Sequence, residues 1–229
     1  MEIKLKQDIL IVVAHKDDET IGMGGTIAKH TNNGDNVFCV AMTDGVSSRK
    51  DSTQSDVKKR ALAANKAAKI LNFKWLENRV FPDNSIDSIP LLSIIEVIEE
   101  AKNEINPKII YTHSKADLNI DHRIVCDAVL TAFRPQPSES WNEIITFEVP
   151  SATDYGHPNV TGNFSPNLFV NIEKTWDLKK KALNCYSEEM RKYPHSRSLK
   201  ALENNNKSLG NKVGLEFAEA FQIIRKIER

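Results

Sequence analysis

Apolar runs of strand length alternate along the chain with segments whose apolar residues recur at helical spacing. The first run, 9–13, shows no polar alternation, which is typical of a strand buried on both faces of a parallel sheet. Further strands are predicted at 37–42, 73–76, 109–112, 143–149 and 168–172. Helices are predicted at 22–32, 55–71, 90–104, 122–133, 173–191, 193–202 and 214–229. This alternation predicts an α/β fold, with a doubly wound, mainly parallel sheet flanked by helices.

Two of the predicted strands end in clusters of polar residues. His15, Asp17 and Asp18 follow the first strand. The second cluster follows the strand at 109–112 and contains His113, Asp121 and His122. Ligands bind outside the carboxyl ends of such strands, so we expect the two clusters to meet at one site. Two histidines and one carboxylate form a catalytic zinc ligand set that leaves one position for water. We therefore predict a metal site that includes His15 and Asp18, completed by the second cluster.

The remaining acidic residues have expected roles beside the metal. Asp17 is adjacent to Asp18 and cannot easily bind the same ion, so we expect it to act on the bound water as a general base. Asp121 is expected to cap a helix, and to orient an imidazole or carry a proton. Because zinc activates water and polarises carbonyl oxygens, this arrangement predicts hydrolysis of an amide or ester.

Composition limits the classes of partner and compartment. The 229 residues suffice for one domain, expected over 1–229. Basic and acidic residues number 31 each, so no net charge attracts nucleic acid or an anionic membrane. The three cysteines are far apart, which argues against a disulfide framework, and no stretch approaches the ~20 apolar residues of a membrane span. Since the N-terminus also lacks the layout of a signal peptide, we expect a cytoplasmic protein with a small-molecule partner.

The segment Ala14–Glu19 reads Ala-His-Lys-Asp-Asp-Glu and closely resembles the A-H-x-D-D-E signature of the PIG-L/LmbE-like zinc-dependent N-deacetylases. Asp121–Val125 is similar to the second motif of that family, and Ile21–Thr26 and Gly214–Phe221 are similar to further family segments. The resemblance implies a Rossmann-like fold. It also implies removal of an acetyl group from an N-acetylated sugar or sugar conjugate, typically one with an N-acetylglucosaminyl group.

The resemblance further implies roles for individual residues. His15, Asp18 and His122 match the ligands of a Zn²⁺ cofactor, and Asp17 matches the general base. Arg60 matches an arginine that the family directs towards the site.

Two positions depart from the family pattern. Lys16 replaces a common proline of the first motif, with little expected consequence because that position only shapes a turn. Asn119 stands where many members carry the first histidine of an H-x-D-H motif. An asparagine can donate a hydrogen bond but cannot carry charge. His113, His195 and the zinc ion itself are then the candidates for stabilising the intermediate and protonating the leaving amine.

Substrate contacts are expected from residues near the strand ends and on the loops. The candidates are Asp44, Arg49, Arg60, Asn119 and His195. For Asp44 a plain turn is an equal alternative, and for the arginines, Arg197 included, solvent is the alternative to a phosphate group. The loops at 46–54 and 151–167 are expected to determine which sugar conjugate binds. The sequence leaves open whether the chain forms a homo-oligomer.

Two other classes of protein fit parts of the pattern. A receiver domain also carries an acidic pair after its first strand, but it binds magnesium through oxygen ligands and has no use for two histidines. A carbohydrate-binding relative that keeps the metal without activity is the second alternative. Bound-metal analysis distinguishes the first class, and an activity assay the second.

Overall fold

The computed structural model of the protein describes residues 6–228. Within them, seven strands form one sheet in the order β3-β2-β1-β4-β5-β7-β6. The strands are β1 (Asp8–Val13), β2 (Asn36–Ala41), β3 (Lys74–Trp75), β4 (Ile109–His113), β5 (Glu143–Phe147), β6 (Leu168–Asn171) and β7 (Ala218–Lys226). All neighbouring pairs from β3 to β5 are parallel, and β7 is antiparallel to β5 and β6. The predicted α/β fold with a mainly parallel sheet is confirmed.

Helices cover both faces of the sheet. They are α1 (Asp18–Asn32), α2 (Gln54–Leu71), α3 (Leu91–Ile105), α4 (Ile120–Ala132), α5 (Pro158–Thr161), α6 (Trp176–Leu183) and α7 (Leu199–Asn211), with 3₁₀ turns at Ile86–Ser88 and Asn184–Tyr186. Ile9, Ile11 and Val13 of β1 join the core under α1, α2 and α6, whereas Leu10 and Val12 join the core under α3 and α4. All five side chains are fully buried, which confirms that β1 is covered on both faces.

Membrane insertion and the N-terminal leader are separate questions. None of the helices within residues 6–228 is long and apolar enough to cross a membrane. The expectation about a leader rests partly on residues 1–5, which lie outside the described residues, as does residue 229.

The predicted closing helix at 214–229 is wrong, because residues 218–226 form β7. This strand lies between β5 and β6, so the sheet satisfies its backbone on both edges. Phe221 of β7 packs edge-on against Tyr111 of β4, with ring centroids 5.6 Å apart. A short apolar segment fits either a helix or a strand, and here the open position in the sheet selected the strand.

Helices α1 and α4, which carry residues of the two polar clusters, begin earlier than predicted. α1 begins at Asp18 instead of residue 22, so the acidic pair lies at its start. Asn119, and not Asp121 as predicted, is the N-cap of α4, because the Asn119 side chain accepts a hydrogen bond from the Asp121 backbone N–H at 2.8 Å. The Asp121 carboxylate is therefore not needed as a cap and can point elsewhere.

The two helices predicted between residues 173 and 202 are also displaced. α6 ends at Leu183, well before the predicted end at residue 191. α7 begins only at Leu199, capped by Ser198, and continues to Asn211 through the asparagines 204–206. Asn206 is stabilised within this helix because its side-chain amide donates to the Ala218 carbonyl of β7 at 2.9 Å.

Candidate active site

The parallel pairing of β1 with β4 brings the two polar clusters together. Val12 pairs with Thr112, so both strands end at the same edge of the sheet. The first turn of α1 then carries Asp18, and the first turn of α4 carries His122. Both side chains are fully buried, and His15 is only 8% exposed. These three residues, His15, Asp18 and His122, form the ligand triad.

One ligand atom from each residue of the triad converges on a common point. His15 Nδ1 lies 3.1 Å from Asp18 Oδ2 and 3.2 Å from His122 Nε2, and Asp18 Oδ2 lies 3.3 Å from His122 Nε2. Zinc binds such atoms at about 2.0–2.2 Å, which places tetrahedral ligands roughly 3.4 Å apart. Among the described residues, no group donates to Asp18 Oδ1, although this oxygen is buried. The triad therefore fits a divalent metal ion.

Opposite charges favour a cation at this point. Burial disfavours a charged His15, but the Asp18 carboxylate and its neighbours outweigh burial and raise the pKa of His15 to about 10. The same balance raises the pKa of His122 to about 9. Burial also opposes ionisation of Asp18, yet the two imidazoles hold its pKa well below the ordinary value. A metal ion supplies the positive charge that protons provide otherwise.

Each imidazole of the triad has carboxylates behind it. His122 Nδ1 lies 3.0 Å from Asp117 Oδ2, so Asp117 and not the neighbouring Asp121 orients this ring. Asp121 instead lies beside His15, with its Oδ2 3.5 Å from His15 Nε2. Asp83 Oδ1 approaches the same nitrogen at 3.4 Å. A carboxylate hydrogen-bonded to the far nitrogen of a metal-binding histidine fixes the ring, as Asp117 does for His122. Asp83 and Asp121 only approach His15 Nε2, which has no hydrogen-bond partner among the described residues.

Sequence reasoning assigned no role to Asp117 or Asp83. Asp117 lies five residues before His122 in the second polar cluster, and this spacing was a usable signal. Asp83 lies in a Pro-Asp-Asn turn that has no such signal. It reaches the site because the loop after β3 folds over the end of β2, where Thr43 donates to Asp83 Oδ1 at 3.2 Å.

His113, one of the candidates for stabilising the intermediate and protonating the leaving amine, lies behind the ligand triad. Its ring stacks on His122, with centroids 3.9 Å apart, and is fully buried. His113 Nε2 accepts a hydrogen bond from the Ala14 backbone N–H at 2.8 Å. Burial also holds the pKa of His113 well below its ordinary value. His113 thus supports the ligand triad from behind and does not line the cavity described next.

A polar cavity of about 190 Å³ opens in front of His15 and Asp17. Asp17 Oδ2 lies 3.5 Å from Arg60 Nη1 and 3.5 Å from Arg197 Nη1. Asp17 is nearly fully buried, and this burial raises its pKa although the two guanidinium groups oppose the rise. A carboxylate with a raised pKa is a stronger base, so Asp17 in this position suits the role of general base.

The other predicted substrate contacts divide into two groups. Arg49 and Asn119 line the cavity, as does Glu189, which pairs with both Arg60 and Arg49. Asn119 uses its Oδ1 to cap α4 and directs its amide nitrogen at Asn84, 3.2 Å away.

Asp44 and His195 do not line this cavity. Asp44 Oδ1 accepts hydrogen bonds from the backbone N–H groups of Val46 and Ser47 at 2.9 and 2.8 Å, so the turn interpretation holds. His195 Nδ1 accepts from the Arg197 backbone N–H at 3.0 Å. His195 thus contributes by shaping the turn that carries Arg197 towards Asp17.

Two comparisons of the sequence with known proteins identify similar chains. The family model of the GlcNAc-PI de-N-acetylases (PIG-L) matches residues 10–133, which include all three members of the ligand triad. The uncharacterized deacetylase YaiS of Escherichia coli (strain K12) is 26% identical over 176 residues, which is 75% of this chain and 85% of that protein.

Two solved structures show the same fold with different activities. The N,N'-diacetylchitobiose deacetylase from Pyrococcus horikoshii aligns with a TM-score of 0.73 at 22% identity, over 97% of this chain and 85% of that chain. The 4-carboxy-2-hydroxymuconate hydratase GalB from Pseudomonas putida KT2440 aligns with a TM-score of 0.72 at 21% identity, over 97% and 99% of the two chains. The fold alone therefore does not specify the reaction.

Proposed function

The chain belongs to the PIG-L family of GlcNAc-PI de-N-acetylases, and we propose accordingly that it is a zinc-dependent hydrolase that removes the acetyl group from an N-acetylated sugar. The observation that supports this most directly is the convergence of the triad atoms within 3.1–3.3 Å of one another, beside a buried carboxylate in an open polar cavity. The likeness to YaiS, whose name describes a deacetylase, points to the same reaction class.

His15, Asp18 and His122 would hold the metal through Nδ1, Oδ2 and Nε2 respectively. A bound zinc ion polarises the amide oxygen and lowers the pKa of water. The protein adds orientation, because Asp117 holds the His122 imidazole from behind, and Asp83 and Asp121 lie close to His15 Nε2. These carboxylates also increase the basicity of the ligating nitrogens.

Asp17 is the proposed general base. Its Oδ2 takes the proton of the attacking water, and the same proton then passes to the nitrogen of the leaving amine. Water and amide thereby become acetic acid and the amine without another proton donor, and the acid then gives its proton to the amine or to solvent, leaving acetate. The role sought for His113 or His195 is therefore filled by Asp17. Arg60 and Arg197 hold the Asp17 carboxylate at the cavity wall through contacts of 3.5 Å.

Asn119 is the proposed donor to the acetamide oxygen, in place of the family histidine. Its Oδ1 is fixed by the N–H of Asp121, which leaves the amide N–H groups directed at Asn84 and the cavity. A neutral donor of this kind stabilises a developing oxyanion less than a charged imidazole does. Asn119 would therefore contribute less of this stabilisation than the histidine that it replaces.

The decisive experiment measures acetate release from a panel of N-acetylated sugars, with free, nucleotide-linked, lipid-linked and thiol-linked members. We expect acetate from at least one member, loss of release after chelation, and recovery on adding zinc. Zinc content with no acetate from any member, but with sugar binding, would support the binding-module alternative. Magnesium in place of zinc would support the receiver alternative.

A further inference from the structure

Helix α1 is interrupted close to the ligand triad. Met23 has φ −140° and ψ 21°, outside the helical region, so the residues after it begin a second helical segment. The first N–H groups of a helical segment lack carbonyl partners within the helix. Those of Gly25 and Thr26 are also buried, where an unpaired donor is costly.

Glu219 of β7 supplies the missing acceptors. Its Oε1 accepts from the Gly25 N–H at 2.9 Å, and its Oε2 accepts from the Thr26 N–H at 2.7 Å. Lys179 of α6 donates to the same carboxylate at 2.6 Å, and both charged side chains are 1% exposed. A negative group at the start of a helical segment is also favoured by the helix dipole. Glu219 therefore caps the second segment of α1 from another part of the chain.

The surrounding contacts leave the interrupted helix little freedom. A Cβ atom on Gly22 would lie 2.4 Å from the Phe147 ring, and one on Gly25 would lie 2.8 Å from Ile172. The Thr175 hydroxyl donates to the Gly25 carbonyl at 2.8 Å. The two family-like segments of the sequence outside the site, Ile21–Thr26 and Gly214–Phe221, thus meet at this point.

We propose that Glu219 is a positioning residue for the metal ligand Asp18. By capping the second segment of α1 at Gly25 and Thr26, it fixes the direction of the turn from Asp18 to Gly22. Asp18, at the start of that turn, lies about 10 Å from Gly25 along the helix. Asp17 is the N-cap of that turn, and its carbonyl accepts a hydrogen bond from the Ile21 N–H at 2.9 Å. The direction of the turn therefore determines the position of both the metal ligand and the base. The inference rests on the proposed function for the identity of the metal.

The test compares three variants with the wild type. Glu219→Gln keeps the size of the side chain, but its amide offers one acceptor oxygen, so Gly25 or Thr26 loses its partner. Thr175→Val is a milder change at the same interruption of α1 (the kink), and it serves as the test if Glu219→Gln does not fold. Ile98→Ala removes a fully buried side chain of α3, on the opposite face of the sheet, and serves as the control for lost stability.

The readouts are the zinc dissociation constant, the absorption spectrum of the Co²⁺-substituted protein and the unfolding midpoint. We expect Glu219→Gln to weaken zinc binding by about tenfold and to shift the Co²⁺ spectrum. Thr175→Val should shift both in the same direction by less. Ile98→Ala should lower the unfolding midpoint with zinc affinity unchanged within about twofold, because Ile98 packs in the core on the opposite face of the sheet from α1.

The outcomes separate the two proposals. Wild-type zinc affinity and Co²⁺ spectra in both kink variants would overturn the positioning role, whatever their stability. If those variants match a wild type that binds zinc and releases acetate, the proposed function stands and only this inference fails. If the wild type binds no zinc, both proposals fail.

Discussion

Asp117 Oδ2 lies 3.0 Å from His122 Nδ1, and both side chains are fully buried. The same oxygen accepts a hydrogen bond from the Thr153 hydroxyl at 2.8 Å, and Asp117 Oδ1 accepts from the Asn119 N–H at 2.8 Å. Because Nδ1 is held from behind, Nε2 is the nitrogen that faces Asp18 and His15. The loop before α4 thereby determines how His122 enters the ligand triad.

Asp117→Asn is expected to weaken zinc binding by about tenfold or more, since carboxylates behind metal-binding histidines typically contribute that much. Competition with a chromogenic chelator measures the dissociation constant. Asp44→Asn is a matched control, because it removes a carboxylate that bonds only to a turn backbone in the described structure. Equal zinc affinities for the two variants would contradict the role of Asp117.

Asp17→Asn is expected to keep one zinc per chain and to lower kcat by about 100-fold or more, because the amide cannot accept the proton of water. Metal content and acetate release at saturating substrate measure the two effects. A variant with wild-type kcat would show that another group is the base.

Arg60→Gln is expected to move the acidic limb of the kcat/KM profile to higher pH. Asp17 accepts a proton only when ionised, so activity is lost below its pKa. Burial raises that pKa and the Arg60 guanidinium, 3.5 Å away, opposes the rise, so removing the guanidinium lets the pKa rise further. Arg49→Gln is the control. Because Arg49 pairs with Glu189, the acidic limb of the pH profile of this variant should stay in place.

Glu19→Gln is expected to change how stability depends on pH. Burial raises the pKa of Glu19 from 4.5 to about 8, so between these values the folded state keeps a proton that the unfolded state releases. Stability then falls as pH rises through this window, by at most about 1.4 kcal/mol per pH unit. Gln cannot ionise and removes this contribution.

The measurement for Glu19 is urea unfolding of both proteins at intervals from pH 5 to pH 8. The free energy of unfolding of Glu19→Gln should rise relative to the wild type as pH increases. The amide oxygen of the variant can still accept the hydrogen bond that Tyr186 donates to Glu19 at 2.9 Å, so packing effects should be small and independent of pH. A constant difference would mean that Glu19 titrates normally.

Local sequence patterns correctly predicted the elements whose structure does not depend on a distant partner. The apolar run of β1 predicts a strand, and the helical spacing that follows it predicts a helix, wherever the strand lies in a sheet. The structure agrees with both predictions. The helix predicted over residues 218–226 was wrong. Their apolar spacing suits a helix in isolation, but they form a strand because β5 and β6 each offer an edge for pairing. The outcome depended on partner strands that lie far away in the sequence.

The order of residues was sufficient to place His15, Asp17 and Asp18 after a buried central strand, because an apolar run that meets charge at once ends at the carboxyl edge of a parallel sheet. The family resemblance selected His122 rather than His113 as the metal ligand, and the packed fold gives the physical reason. Strand β4 places His113 beneath His122, where its Nε2 accepts a hydrogen bond from the Ala14 backbone N–H. Helix α4 directs His122 towards Asp18. The same holds for Asp83 and Glu219, since the position of a side chain from a distant segment depends on packing that no local pattern encodes.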